Sequence, residues 1–370
     1  MRDSINLRHS LLGLALAVSL GACGDKPATA DAGQPAPETE TAAATATSDA
    51  LPSGWLRVAG TDVPGVQNLT PVLPVTVTSD DGETVTVSDT SKIVAGGDDV
   101  IAVIEALGMG SQVYAAPLRS ATESGRNAPK QFLFNRTTGV EGVLSLEGSL
   151  FLGNSLRRHT ELAKKLRGAG EAAVVVDDLQ PAPDKVRKIA AALGAEAAGQ
   201  SLAAQVQAQL DEAAAVAKAS AHQPRVIHLS ATGAGGAPTV AGADSASGKL
   251  IALAGGVNIG TEAGVQNYSA LSNEGVVAAA PDVILVTEND LQLFGGEAGL
   301  WKAYPTLKQT PAGAANRVWV MPDVQLKATS VGSGSGALAL AKALAALPAP
   351  WWHAVPGAQP VAGDCWAWRR

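Results

Sequence analysis

The sequence feature that most constrains the fold is an internal repeat on either side of a helix-forming segment. Residues 141–152 align without gaps to residues 274–285, and in both segments a glutamate opens an amphipathic helix pattern that leads into an apolar strand. Between them, residues 184–218 are rich in Ala and favour a helix, with only Gly194 and Gly199 interrupting. The repeat predicts two related halves joined by a helix.

Both halves alternate short apolar strands with helix patterns. In the first half, residues 73–90 alternate apolar and polar side chains around Asp81-Gly82, which predicts a β-hairpin. A strand at 92–95 and a helix over 98–107 follow, and the second half begins with a strand at 225–229. This alternation is typical of parallel sheets. The predicted fold class is α/β, with two lobes that each contain a central, mostly parallel sheet and a long rigid linker helix between them.

Composition and pattern divide the chain into six segments. We predict, in order, a signal peptide at 1–22, a disordered tether at 23–50, an N-terminal lobe with the hairpin at 51–180, a linker helix at 181–222, a C-terminal lobe at 223–348 and a Trp-rich tail at 349–370. The tether is rich in Ala, Thr, Pro and acidic residues, so it cannot bury enough apolar surface to offset the entropy that ordering would remove.

The N-terminus has the layout of an export signal. Arg2 and Arg8 precede an uncharged apolar run at 11–20, about half of the ~20 residues that a membrane-spanning helix needs. The Leu-Gly-Ala-Cys sequence at 20–23 resembles the lipobox of bacterial lipoproteins, which implies that Cys23 carries a lipid. The alternative is an ordinary secretory signal with an incidental cysteine. We expect an extracytoplasmic protein that is anchored to the cell membrane through Cys23.

Several classes of function are disfavoured by composition and motifs. The formal net charge of −7 argues against nucleic acid as a partner, because phosphate binding needs a basic surface. The sequence contains no Gly-x-Ser-x-Gly elbow, P-loop or His-Glu-x-x-His, so we predict that the protein is not an enzyme. The few histidines show no metal-ligand spacing, which disfavours zinc or manganese capture.

Several segments carry a resemblance to a known family, namely residues 85–89, 92–95, 139–146, 253–257, 268–274 and 281–286. From about Val75 to Leu347 the chain resembles the solute-binding proteins of bacterial haem and cobalamin-type ABC importers, and most of all the actinobacterial haemin-binding lipoproteins. The resemblance implies a protein that captures haem between its lobes and delivers it to a permease with its ATPase. We expect a monomer.

Three alternatives to this function stay open at the level of the sequence. Cobalamin or a ferric siderophore could be the ligand on the same scaffold. A haem relay or sensor protein that is not coupled to a permease is the third.

Two glutamates head the repeated segments. In the family that the chain resembles, one glutamate at the top of each lobe docks on arginines of the permease, and Glu141 and Glu274 match these positions. The alternative is that both are ordinary first-turn acids, which the helix macrodipole favours.

The resemblance also implies an iron-binding site. Haem iron is held by His, Tyr, Met or Cys side chains, and Tyr268 matches the position of a ligand tyrosine in the relatives. His159 lies where some relatives supply a second axial ligand, and the adjacent Arg157 and Arg158 suit the carboxylates of a porphyrin. The alternatives are a surface-loop tyrosine and a solvated helix start.

The sequence departs from the family pattern in two places. The loop at 118–123 lacks the tyrosine that other haem binders carry there, and Ala270 stands where some relatives have an arginine two residues after the ligand tyrosine. Without that arginine a phenolate at Tyr268 would be less stabilised, so this second departure weakens the assignment of Tyr268 as a ligand. His228 lies inside an apolar strand, so we predict a core histidine with satisfied hydrogen bonds.

Overall fold

A computed structural model of the chain describes residues 51–133, 139–233 and 237–348. The predicted signal peptide, the predicted lipidation site at Cys23, the predicted tether and the predicted Trp-rich tail lie outside the described residues. Within these three ranges, no helix combines the length and the apolar character that a membrane span requires.

The described elements follow the predicted alternation of strands and helices. The strands are β1 (Leu56–Arg57), β2 (Val75–Thr78), β3 (Thr84–Val87), β4 (Ile93–Ala95), β5 (Val113–Pro117), β6 (Lys130–Phe132), β7 (Leu150–Gly153), β8 (Ala173–Val175), β9 (Arg225–Ser230), β10 (Thr239–Ala241), β11 (Val257–Asn258), β12 (Tyr268–Ser269), β13 (Val283–Thr287) and β14 (Val318–Met321). The α-helices are α1 (Asp98–Ala106), α2 (Glu123–Arg126), α3 (Val140–Leu144), α4 (Leu156–Gly168), α5 (Ala182–Ala192), α6 (Glu196–Ala219), α7 (Ala246–Leu253), α8 (Ile259–Glu262), α9 (Asn273–Ala279), α10 (Glu288–Phe294), α11 (Gly296–Ala303), α12 (Pro311–Ala314), α13 (Asp323–Leu326) and α14 (Gly332–Ala345). Two 3₁₀ helices cover Gly110–Gln112 and Pro305–Gln309.

The first sheet is wholly parallel, in the order β6-β5-β4-β7-β8. Strands β4, β7 and β8 are buried along their whole length because helices cover both faces of such a sheet. The predicted hairpin forms beside it from β2 and β3, and Gly82 in its turn adopts a φ of +90°. This positive φ is why a glycine suits the position.

The second sheet is mixed, in the order β1-β14-β13-β9-β10-β12, with β11 paired to β9. Strands β1, β14, β13, β9 and β11 run parallel, whereas β10 is antiparallel to both of its neighbours. The repeated segments become α3 with β7 and α9 with β13, so each repeat supplies an inner strand of its sheet. The structure corrects one boundary, because residues 56–57 belong to the second sheet although 51–180 was predicted as the N-terminal lobe.

The segment predicted as one linker helix at 181–222 contains two helices. Helix α5 ends at Ala192 and α6 begins at Glu196, and Gly194 between them adopts a φ of +67°. A Cβ at this glycine would lie 2.4 Å from the carbonyl oxygen of Val72, which also donates its N–H to Gly194 O over 2.9 Å. The helix therefore breaks where a distant segment approaches its backbone.

That distant segment, which we call the strap (residues 58–72), crosses between the two sheets. Near its start, Gly60 donates its N–H to Gln325 Oε1 and accepts from Gln325 Nε2, both over 2.9 Å. Further along, the N–H of Val66 donates to Ala106 O of α1 over 2.7 Å. The strap is thus bonded to elements of both halves as well as to the linker.

Asp99, in the first turn of α1, joins several elements in the interior. Its carboxylate forms an ion pair with Lys185 of α5 and accepts a hydrogen bond from Asn154 Nδ2 over 2.8 Å. Its backbone oxygen accepts from Ser330 Oγ, in the second half, over 2.9 Å. Lys185 is fully buried and Asp99 is 7% exposed, so both charges depend on these contacts.

Replacement of Lys185 by Met should lower the free energy of unfolding by about 3–5 kcal/mol, because it leaves the buried Asp99 carboxylate without a countercharge. Urea unfolding measures this change. The control is Lys188→Met in the same helix, which removes a more exposed ion pair with Asp80 and should cost about 0–1 kcal/mol. Equal losses in the two variants would contradict the importance of the buried pair.

Candidate functional site

Polar side chains gather where the parallel strands of both sheets end. In the first sheet, Asn154 directly follows β7 and leads into α4. In the second, Ser230 ends β9, Thr287 ends β13 and Asp323 follows β14. The carboxyl ends of parallel strands are the usual ligand-binding edge of an open α/β sheet. These two edges are therefore the candidate site.

His159 lies in the first turn of α4, where the sequence predicted a ligand histidine. Its ring is only 3% exposed and packs edge-on against Phe151, with ring centroids 5.5 Å apart. Its Nδ1 accepts the backbone N–H of Asn154 over 3.0 Å. Burial, together with the positive charge of Arg158, lowers the pKa of His159 to about 4. The imidazole is thus neutral near pH 7 and carries its proton on Nε2.

The neighbouring arginines lie on the exposed side of the same helix turn. Arg157 and Arg158 are both exposed, and Arg158 Nη2 donates to Asn154 Oδ1 over 3.3 Å. The structure therefore keeps His159 and the two cations adjacent, as the sequence predicted. They differ in exposure, however, because the His159 ring is buried whereas the two guanidinium groups reach solvent.

Tyr268 forms part of β12, a two-residue strand at the edge of the second sheet, and not a loop. Its side chain is half-buried, and its hydroxyl lies 2.9 Å from Ser247 Oγ. The ring stands edge-on to His228, with centroids 6.2 Å apart. Burial raises the pKa of Tyr268 to about 12, although the hydrogen bond with Ser247 acts in the opposite direction. The phenol is therefore protonated in the ligand-free protein.

His228 is fully buried in β9, as expected for a core histidine. Its Nδ1 lies 2.9 Å from Ser247 Oγ, so one ring nitrogen is bonded. Its Nε2 has no hydrogen-bond partner among the described residues and lies 3.9 Å from Asp290 Oδ2. Burial lowers the pKa of His228 to about 3. The prediction of a fully satisfied histidine is wrong at Nε2.

A buried carboxylate lies behind His228. Asp290 accepts hydrogen bonds from Lys327 Nζ over 2.8 Å, from Ser230 Oγ over 3.1 Å and from the N–H of Ala231 over 2.9 Å. Burial raises the pKa of Asp290, but Lys327 and its other partners outweigh this effect and lower it below 3.8. Asp290 is therefore a carboxylate near pH 7, balanced by one lysine.

Glu141 and Glu274 occupy equivalent positions in the two halves. Each is the second residue of its helix, α3 or α9, and each is exposed. The side chain of Ser272 caps α9, whereas the residue before α3, Gly139, has no side chain to cap that helix. The structure thus keeps both glutamates at helix N-termini, where both the docking interpretation and the macrodipole interpretation placed them.

Large apolar side chains are exposed near the same strand ends. Leu118 follows β5 and is 53% exposed, Leu133 follows β6 and is 63% exposed, and Leu179 follows β8 and is 59% exposed. These leucines place apolar side chains within reach of a ligand at this edge. Sequence reasoning missed them because no apolar period marks these loop positions.

Sequence reasoning also missed Ser247, Asp290 and Lys327. A serine in the first turn of a helix usually serves as a local cap, and no pattern links it to a tyrosine 21 positions away. Within the described ranges, no cluster of three or more His, Cys, Asp or Glu side chains could hold a metal ion.

The stability of the ligand-free protein should fall as the pH decreases from about 7.5 to about 5. The pKa of His228 is about 3 in the folded state and ordinarily 6.5, so the unfolded chain binds the extra proton in this range. The loss attributable to this histidine should be about 2 kcal/mol. Urea unfolding of the protein and of His228→Asn at both pH values isolates it. An equal pH dependence in the two proteins would contradict the neutral, buried state of His228.

Comparison with known proteins identifies the family to which this chain belongs. A model of the periplasmic binding protein family matches residues 93–324. Among solved structures, the periplasmic haem-binding protein RhuT from Roseiflexus sp. RS-1, in its apo form, is 33% identical with a TM-score of 0.62, and the match covers 70% of this chain and 98% of RhuT.

Two further structures match at lower identity. The haem-binding protein HmuT is 26% identical with a TM-score of 0.65, covering 79% of this chain and 97% of HmuT. The periplasmic haem-binding protein HutB of Vibrio cholerae is 26% identical with a TM-score of 0.55, covering 71% of this chain and 100% of HutB. No curated protein matches the sequence. The family match spans both sheets and their carboxyl-end edges, and this chain belongs to the periplasmic binding protein family.

Proposed function

We propose that this protein captures haem outside the cytoplasm and delivers it to the permease of an ABC importer. The observation that carries the proposal is the likeness to RhuT, a haem-binding protein. This chain is 33% identical to RhuT, and the match covers 98% of the length of RhuT. The family consists of binding proteins, and we infer that this member is likewise not an enzyme.

The proposed iron ligands are Tyr268 from the second half and His159 from the first. A phenolate oxygen and an imidazole nitrogen are both established ligands of haem iron. Both side chains lie near the carboxyl-end edges of their sheets, which supports the pairing. Bound haem would supply a ferric ion, and a cation next to the phenol favours loss of its proton even though burial raises the pKa of Tyr268.

Ligation requires both side chains to change their hydrogen bonds. The Tyr268 hydroxyl, 2.9 Å from Ser247 Oγ, must give up its proton to bind iron as a phenolate. His159 carries its proton on Nε2 because Nδ1 accepts from Asn154, so its ring must turn or exchange this proton before a lone pair can face iron.

The remaining parts of a porphyrin also have matching side chains. The exposed Leu118, Leu133 and Leu179 suit its apolar faces. The exposed guanidinium groups of Arg157 and Arg158 suit its carboxylates, because arginine binds carboxylates with paired hydrogen bonds. The donor set, the apolar edge and the cations thus fit haem as the captured ligand.

We further propose that Glu141 and Glu274 dock the loaded protein on its permease, and that a lipid on Cys23 anchors it to the membrane. Support for docking comes from the exposure of both glutamates at the start of equivalent helices. The tether between Cys23 and residue 51 would let a monomer reach a permease complex with its ATPase in the same membrane.

Addition of ferric haem to the purified protein should shift the Soret band and produce a phenolate-to-iron charge-transfer band. Tyr268→Phe should remove the charge-transfer band and weaken binding at least about tenfold, because the anionic ligand is lost. His159→Ala should change the Soret band while the charge-transfer band persists. Absorption titration measures all three effects.

The matched control is Tyr304→Phe, which removes another tyrosine hydroxyl in the second half and should leave the spectrum unchanged. Parallel titrations with cobalamin and a ferric siderophore test the alternative ligands. Tighter binding of either one than of haem would overturn the proposed ligand, and an unaltered spectrum in Tyr268→Phe would overturn the proposed iron site.

Reversal of both docking glutamates, Glu141→Lys with Glu274→Lys, should reduce haem uptake by cells at least about tenfold while haem binding stays normal, because like charges would then face the permease arginines. The control pair is Glu196→Lys with Glu297→Lys, two exposed glutamates in the first turns of α6 and α11. Normal uptake by the docking variant would identify Glu141 and Glu274 as ordinary helix-terminal charges and would favour a relay or sensor role.

A further inference from the structure

A chain of buried hydrogen bonds lies behind Tyr268. The tyrosine hydroxyl is 2.9 Å from Ser247 Oγ, and Ser247 Oγ is 2.9 Å from His228 Nδ1. Both Ser247 and His228 are fully buried. Ser247 sits in the first turn of α7, but the cap of that helix is Ser245, whose Oγ accepts from the N–H of Gly248. Ser247 is thus not occupied in capping its helix.

The donor in each of these two hydrogen bonds can change. A serine hydroxyl has one proton, so Ser247 can donate to one of its two neighbours and accept from the other. His228 can be either donor or acceptor at Nδ1. Its Nε2 has no hydrogen-bond partner among the described residues, and the Asp290 carboxylate 3.9 Å away favours a proton on Nε2 in the ligand-free protein. Ser247 can therefore accept from a phenol or donate to a phenolate.

We propose that Ser247, held by His228, is a positioning residue for Tyr268 that donates a hydrogen bond to the phenolate oxygen when ferric haem is bound. This inference rests on the proposed role of Tyr268 as an iron ligand. In the ligand-free protein Ser247 instead accepts from the phenol and donates to His228 Nδ1. On ligation the phenol proton leaves to solvent, and the neutral His228 carries its proton on Nδ1, from which it donates to Ser247. The same two heavy-atom contacts serve both states, so the tyrosine oxygen keeps its place when it loses its proton.

The phenolate needs such a donor because Lys327, the positive side chain that pairs with Asp290 behind His228, is committed to that carboxylate. Lys327 binds Asp290 through both carboxylate oxygens. Ala270, two residues after Tyr268, offers only a methyl group. Hydrogen bonds to a charged oxygen are roughly twice as strong as neutral ones, so one buried serine donor has a measurable effect on the ligand.

Loss of the Ser247 hydroxyl has a predictable electronic consequence. A phenolate without its hydrogen bond donates more electron density to the ferric ion. The charge-transfer band should then move to longer wavelength, the reduction potential of the bound haem should become more negative, and binding should weaken about tenfold. A residue that only stabilised the fold would change neither the band nor the potential.

The test uses the full protein loaded with ferric haem and compares Ser247→Ala with Ser335→Ala. The control makes the same substitution at another buried serine, in α14, whose hydroxyl bonds Asp62 and the backbone oxygen of Gly332. Absorption spectroscopy and a redox titration are the measurements. We expect the red shift and the lower potential in Ser247→Ala and neither in Ser335→Ala.

A second variant, His228→Leu, removes the hydrogen-bond partner of Ser247. It should also shift the charge-transfer band to longer wavelength and lower the reduction potential, by smaller amounts than Ser247→Ala. If Tyr268→Phe leaves the charge-transfer band in place, the proposed iron ligand is wrong. If Tyr268→Phe removes the band but Ser247→Ala and His228→Leu match Ser335→Ala, only the positioning role is overturned. Tighter haem binding by Ser247→Ala with an unmoved band would also overturn it.

Discussion

A buried carboxylate needs a countercharge and hydrogen-bond donors. Asp99 obtains them from separate parts of the chain, and these parts are therefore held in contact. Lys185 reaches it from α5, Asn154 from the end of β7, and Ser330 reaches its backbone from the second half. The same Asn154 gives its N–H to His159. The orientation of the proposed first-half ligand therefore depends on a residue whose carboxylate binds the linker and whose backbone binds the second half.

The second half repeats this arrangement with different residues. Asp290 is the buried carboxylate, Lys327 is its countercharge, and His228 lies between it and the serine that contacts Tyr268. In both halves a neutral histidine thus lies near a paired carboxylate at the carboxyl ends of parallel strands. Desolvation lowers the pKa of both histidines, so neither adds positive charge to a site that already contains Arg157 and Arg158.

Much of the fold was predictable because apolar strands and amphipathic helices have local periods. The hairpin, the strands at 92–95 and 225–229, and the equivalence of the two repeats all follow from such patterns. The break at Gly194 was not predictable, since it depends on the approach of Val72 from far along the chain. The place of residues 56–57 in the second sheet likewise depends on pairing with residues 319–320, which are far away in the sequence. For the site, the sequence and its family resemblance indicated Tyr268 and His159, but the serine and histidine behind Tyr268 are brought together only by folding.

The assignment of Tyr268 as the residue that binds haem iron is tested most directly by a crystal structure of the protein with ferric haem. We expect a porphyrin at the carboxyl ends of the strands, with Tyr268 Oη bonded to iron and Ser247 Oγ within hydrogen-bond distance of that oxygen. A porphyrin bound elsewhere, or iron held by other side chains while Tyr268 keeps its phenol proton, would contradict it.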